Sequence, residues 1–206
     1  MSENNTSDNL QVTFERFSNL LNDRFEKKIF TKEDPIRYTF FYAISKELEL
    51  FPHDILLESP HPKIDKAEID MLVSETDECP ELIFEFKYDV KRRSTVPHPQ
   101  KAGALFADIF RLYLYKKDNQ KTRCFLIYVT DIEMANYLSR DANRLDGFFN
   151  LLSNQTLVIN ENYVKNHSET FVSNASKYGI HDCIVKSCLN VELAGSHFVR
   201  IYEIFC

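Results

Sequence analysis

Residues 67–88, AEIDMLVSETDECPELIFEFKY, decide the fold. Over 67–74 polar and apolar positions alternate, with Glu68, Asp70 and Leu72 on one side and Ile69, Met71 and Val73 on the other. That period of two is a strand. The run from Ser74 to Pro80 is turn chemistry, and a proline there cannot continue a central strand. From 81 to 88 the alternation resumes, with Leu82, Phe84, Phe86 and Tyr88 opposed to Ile83, Glu85 and Lys87. Glu85 and Lys87 therefore share a face, about 6–7 Å apart along the strand. If the two strands pair across the turn, Asp70 lies beside Glu85.

Two carboxylates and an ammonium on one sheet face suit a hard divalent ion. Mg²⁺ takes oxygen ligands, commonly one or two carboxylates, and keeps waters for itself or for phosphate. A lysine beside it can orient the attacking water or offset charge growing on a phosphate. The competing reading of the same residues is a solvated hairpin whose outer face happens to carry charge.

The flanking elements bear on that choice. To the N-terminal side, Glu33-Asp34-Pro35 reads as a helix start with Asp34 as N-cap. A buried helix follows over 36–50, then Phe51-Pro52 breaks it and 55–58 form a first strand. Ser59-Pro60-His61-Pro62 is a rigid link in which His61 either faces a cleft or is polar surface. To the C-terminal side, a basic loop (Lys91, Arg92, Arg93) leads to a helix from Pro99 to about Lys117, and residues 121–130 (KTRCFLIYVT) read as a buried central strand.

This order resembles the PD-(D/E)XK, or restriction-endonuclease-like, nuclease superfamily. Its core runs helix, three-strand meander, helix, strand, with an acid on the second strand and (D/E)xK on the third. The matching residues are Asp70 and Glu85-Phe86-Lys87, within a core of about 33–130; the residue before Asp70 is Ile69 in place of proline. The resemblance implies a Mg²⁺ site (Mn²⁺ as substitute) held by Asp70, Glu85 and the Phe86 main-chain carbonyl, with Glu47 of the first core helix as a further acid. It implies Lys87 in catalysis, and Gln100 or Lys101 at the start of the following helix against the scissile strand. Helix N-termini favour phosphate. The QxxxY motif of the RecB-like members is absent, since Ala104 stands four residues after Gln100. Asp108 and Arg111, three apart, read as a local pair.

The rest of the chain agrees with one domain of 206 residues, 1–206, with an α/β fold. A mixed, largely antiparallel central sheet is expected between helices. An amphipathic helix over 9–29 precedes the core, and the polar residues 1–8 read as a disordered lead without signal-peptide character. After Asp131, which caps a helix to about 138, come a helix around 144–152, a strand at 156–159, a polar helical stretch from 162, and strands 184–193 and 197–205 joined at Ala194-Gly195-Ser196.

Composition sets the limits. Four glycines and no GxxxxGK argue against a nucleotide-cradling loop. Five cysteines without a CxxC fit reduced thiols of a cytoplasmic protein, not a zinc site. No apolar run approaches a membrane span. Net charge is −6, so nucleic-acid binding must rest on a local basic rim, for which Lys91, Arg92, Arg93 and Lys101 are the candidates. The expected function is Mg²⁺-dependent cleavage of phosphodiesters in DNA, and a homodimer is compatible with it. The rivals are a catalytically inactive module of the same fold binding nucleic acid or protein, and a hydrolase of another phosphate ester.

Overall fold

Phe40 shows how the layers are joined. Its ring lies 4.7 Å from Phe84 and 5.5 Å from Phe86 of a central strand, and 5.3 Å from Phe17 of the first helix. The computed structural model describes residues 3–76, 79–90 and 95–206. Helix α1 (Glu3–Glu26) and α2 (Glu33–Glu47) cover one face of the sheet, and α3 (His98–Lys116) lies on the other. The strands are β1 (Ile55–Pro60), β2 (Glu68–Val73), β3 (Leu82–Asp89), β4 (Arg123–Asp131), β5 (Thr156–Ile159), β6 (Cys183–Leu193) and β7 (His197–Phe205). Short helices α4 (Ile132–Leu138), α5 (Asp146–Phe149), α6 (Glu161–Lys165) and α7 (Glu169–Ala175) complete the chain.

All seven strands form one sheet in the order β1-β2-β3-β4-β7-β6-β5. Only β3 and β4 run parallel, because α3 carries the chain back between them; every other neighbouring pair is antiparallel. The fold is thus α/β with a mixed sheet between helical layers, as expected. β3 and β4 are buried on both faces, which explains the near-continuous apolar run FLIYV over 125–129.

Several boundaries differ from the sequence reading. Helix α1 begins at Glu3, so the polar residues 3–8 extend it. The N-cap of α2 is Lys32, not Asp34; the first helical bond is Ile36 N–H to the Lys32 carbonyl, at 3.3 Å. Glu33 and Asp34 then occupy the first turn, where acids oppose the helix dipole favourably, and Pro35 still falls where its missing N–H costs nothing. The helix expected over 144–152 is a single turn, since Arg144 adopts the left-handed conformation with φ 55°. His61 is buried: its Nδ1 accepts from Lys63 N–H at 3.1 Å and its Nε2 lies 3.3 Å from the Arg111 carbonyl, so it ties the β1–β2 link to α3.

Candidate metal and phosphate site

Ladder pairing between β2 and β3 covers Val73↔Leu82, Leu72↔Ile83 and Met71↔Phe84, and there it ends. The same register would put Asp70 opposite Glu85. Instead the strands part, and Asp70 Oδ2 takes the place of a ladder carbonyl by accepting the Phe86 N–H at 2.8 Å. A strand residue directs its N–H and C=O to the same side. The Phe86 carbonyl therefore points into the gap left by β2. On the outer side, β1 responds with a backbone kink. Glu58, which falls between the pairs Leu57↔Met71 and Ser59↔Ile69 and so faces Asp70, has φ 55°. A non-glycine residue in that region stores strain of the kind found at functional sites.

Glu85 is 1% exposed and forms an ion pair with Arg111 through Oε2, while Oε1 has no hydrogen-bond partner. Burial pushes its carboxyl well above the usual carboxylate value; Arg111 pulls it back, and the neighbouring Asp70 and Asp108 push it further up. Arg111 also reaches Asp108 at 3.3 Å, and the other Asp108 oxygen takes Lys87 Nζ at 3.2 Å. The expected pair of Asp108 and Arg111 exists, but both side chains also cross to β3. Burial works against the Lys87 charge, yet Asp108 and Asp89 outweigh it and raise its pKa. Lys87 is thus a firmly held ammonium.

The gap also admits side chains from the opposite face of the sheet. Arg37 of α2 reaches Asp70 at 3.5 Å while holding Glu58 at 3.1 Å and Asp34 at 3.7 Å. Glu33 accepts the Tyr88 N–H at 3.1 Å; burial and the nearby Asp70 raise its pKa, with Lys87 opposing. So α2 does contribute an acid, and it is Glu33. Glu47 is not brought to the cluster: its carboxylate is paired with Arg16, and it lies ten residues beyond Arg37, about 15 Å along the helix.

Two residues beyond Lys87, at the end of β3, Asp89 is buried with Oδ2 unpartnered among the described residues, and burial raises its pKa against Lys87 and Lys101. Lys101 is also buried, with Nζ donating to the Val90 carbonyl at 3.0 Å. Gln100, one residue before it, is exposed. Lys91, Arg92 and Arg93 lie outside the described residues.

Comparisons with family models, with curated proteins and with solved structures find no match for the chain. The chemistry rests on the cluster alone.

Among the described residues no three His, Cys, Asp or Glu side chains converge as a metal-binding group. Two carboxylates do meet at the gap, and a hard divalent ion needs no more than one or two when waters or phosphate fill the remainder. Glu85 Oε1, buried without a donor and facing a second carboxylate, is the atom such an ion would satisfy. Asp70, Glu85 and the Phe86 carbonyl therefore fit Mg²⁺ or Mn²⁺. The two arginines that hold these acids each have a second acidic partner, Glu58 for Arg37 and Asp108 for Arg111. Either can leave its site carboxylate without stranding its own charge.

Glu33, Arg37 and Asp89 are cluster members that sequence reasoning passed over, and Asp108 and Arg111 read there only as a local pair. Glu33 and Arg37 lie at helical spacing with the buried Phe40 and Ile44, so they continue the inward stripe of α2. Asp89 continues the period-two series Glu85, Lys87, and β3 extends one residue beyond the expected strand to include it.

Proposed function

We propose that the chain is a Mg²⁺-dependent hydrolase of phosphodiester bonds in nucleic acid, with DNA as its substrate. The observation that carries this reading is the parting of β2 from β3, which gathers Asp70, Glu85, Lys87 and the Phe86 carbonyl at one opening. The order of elements supports it: α2, the meander β1-β2-β3, α3 and the parallel β4 follow the helix, three-strand, helix, strand sequence of the nuclease core.

A divalent ion bound there supplies Lewis acidity and a more acidic water. Asp70 and Glu85 would hold it. Lys87, kept charged by Asp108 and Asp89, donates to a phosphate oxygen as negative charge grows, and its raised pKa makes it an electrostatic group instead of a base. Arg111 released from Glu85 stays anchored on Asp108 and adds a second cation near the same phosphate.

One observation favours a second reading. Arg37 and Arg111 already neutralise the acids, which is how a catalytically silent module would stabilise the same cluster. Incubating end-labelled DNA with Mg²⁺ or with EDTA separates the two. The hydrolase cleaves only with the ion and loses cleavage in Asp70→Ala, while the module cleaves in neither case and shows no Asp70-dependent Mn²⁺ binding by calorimetry.

A further inference from the structure

The two edges of the sheet are finished differently. At one edge β1 is guarded: Pro52 precedes it, Glu58 kinks it at φ 55° and carries an exposed charge, and Pro60 ends it. Kinks, charges and prolines are what keep an edge strand from pairing with another chain. At the other edge β5 has none of them. Residues 147–160, GFFNLLSNQTLVIN, contain no charged residue and no proline, in a chain that is 27% charged. Thr156 is exposed and Val158 is 56% exposed, on a strand whose one neighbour among the described residues is β6.

The outer side of β5 presents backbone donors and acceptors in strand order. Ser187 N–H donates to the Gln155 carbonyl at 2.9 Å, so Gln155 turns toward β6. Backbone groups alternate in direction along a strand; Leu157 and Ile159 therefore turn the same way, while Thr156 and Val158 direct N–H and C=O away from β6. Asn160 is still extended, at φ −139° and ψ −178°, and prolongs the edge. The side chains divide between the two faces. Leu157 and Ile159 pack with the core beneath α3. Val158 faces the other way, beside Ile184, which is 39% exposed, and in line with the half-buried Phe205.

We propose that β5 is a dimerisation edge, on which a second copy of this chain lays its own β5 antiparallel about a two-fold axis at Val158, joining two seven-stranded sheets into one. The register is self-complementary. Val158 exchanges both backbone hydrogen bonds with Val158 of the second copy, Leu157 faces Ile159, and Thr156 faces Asn160. Glu161, the first charge beyond the strand, falls opposite Gln155, so no like charges meet. On the open face the row Phe205, Ile184, Val158 of one copy runs on into the same row of the other, with two β-branched side chains in contact at the axis. Self-pairing also closes the assembly. It covers both unguarded edges and leaves the joined sheet ending in the guarded β1 of each copy. The opening between β2 and β3 lies toward that guarded end, so the dimer leaves it uncovered and does not depend on what it catalyses.

Sedimentation equilibrium of the full chain, from about 1 µM to 0.1 mM, tests this. The wild-type protein is expected to become dimeric within that range. Val158→Lys sets two ammonium groups face to face at the axis and should weaken the dimer about 100-fold or more; Val158→Glu should do the same with two carboxylates. Val158→Thr, uncharged and β-branched, should keep it. The side chain is exposed, so these variants retain the folded monomer, which circular dichroism checks. Mixing Val158→Lys with Val158→Glu in equal amounts puts opposite charges at the axis and should restore the dimer. A wild-type protein that stays monomeric throughout would leave β5 to a foreign strand and overturn the proposal. A dimer indifferent to Val158→Lys, or charged variants that stay monomeric when mixed, would overturn it as well.

Discussion

Lys87 Nζ lies 3.2 Å from Asp108 Oδ2, a contact made from the central strand β3 to the helix α3 that covers it. Asp108 holds Arg111 with its other oxygen, at 3.3 Å, and so sets the position of both cations nearest Glu85.

Asp108→Asn keeps the shape of the side chain and removes its charge. Lys87 then loses its closest anion and the firm placement that goes with it. Turnover of DNA is expected to fall about 10- to 100-fold, on the scale of a misplaced catalytic group, with KM little changed. Asp108→Glu should restore part of the loss. Steady-state kinetics of the three proteins check this, and a change confined to KM would place Asp108 in substrate binding.

Lys87→Met removes the ammonium and keeps the length of the chain. An ammonium has no lone pair to give a metal, so Mn²⁺ affinity is expected to hold or rise slightly. Single-turnover cleavage is expected to drop by about 10²-fold or more, as when one transition-state donor is lost. Calorimetry and cleavage on one preparation measure both. Loss of metal binding together with stability would make Lys87 a structural partner of Asp108 and nothing more.

Much of this architecture is written in local periodicity. The alternation at 68–73 and 82–88 specifies β2 and β3 and puts Asp70, Glu85 and Lys87 on facing sides, because a side-chain period of two leaves no other choice. What local patterns cannot carry is where pairing stops. The strands part after Met71↔Phe84, and only that separation lets Glu33 and Arg37 from one sheet face meet Asp108 and Arg111 from the other. Helical phase explains Gln100 and Lys101: one residue turns the direction by about 100°, and it is Lys101 that enters the protein while Gln100 stays in solvent. The insertion of β7 between β4 and β6 is likewise a long-range choice without a local signal.

His61 predicts an acid-labile contact. Its Nδ1 accepts the Lys63 N–H, so the ring is neutral with its proton on Nε2, directed at the Arg111 carbonyl. Burial lowers its pKa below the ordinary 6.5, helped by the nearby charges of Arg111 and Lys63, against the Arg111 carbonyl. The unfolded chain therefore binds the proton more readily. Stability from this group is fully present above pH 6.5 and is lost as pH falls from there toward the folded pKa. Half-buried His167, whose pKa burial also lowers, adds in the same sense. The raised carboxyls of Glu33, Glu85 and Asp89 act oppositely, favouring the fold as pH falls toward the carboxylate range. Urea midpoints at pH 7.5 and 5.5 for wild type and His61→Gln isolate the histidine: the variant should lose less on acidification. An equal loss in both would exclude His61 as an acid-sensitive tie.

Arg111→Gln tests whether the guanidinium stands where an ion would act. Glu85 is 1% exposed and among the described residues relies on Arg111 for its ion pair, so removing the guanidinium leaves a buried carboxylate without that compensation. Breaking such a pair by deleting one partner costs about 3–5 kcal/mol, and the metal-free variant should melt well below wild type. Mn²⁺ changes the comparison. In wild type an ion reaching Glu85 must first displace Arg111, which keeps its contact with Asp108; in the variant it meets a bare carboxylate and Asp70 beside it. A ligand that binds only the folded state raises stability in proportion to its affinity, so the rise in Tm with Mn²⁺ should be larger in Arg111→Gln than in wild type. The added Asp70→Ala change should abolish that rise. Thermal melts of the three proteins in EDTA and in Mn²⁺ decide the matter. A variant that is destabilised but indifferent to Mn²⁺ would mean that the Glu85–Arg111 pair is a structural tie, and the cluster would then belong to a non-catalytic module.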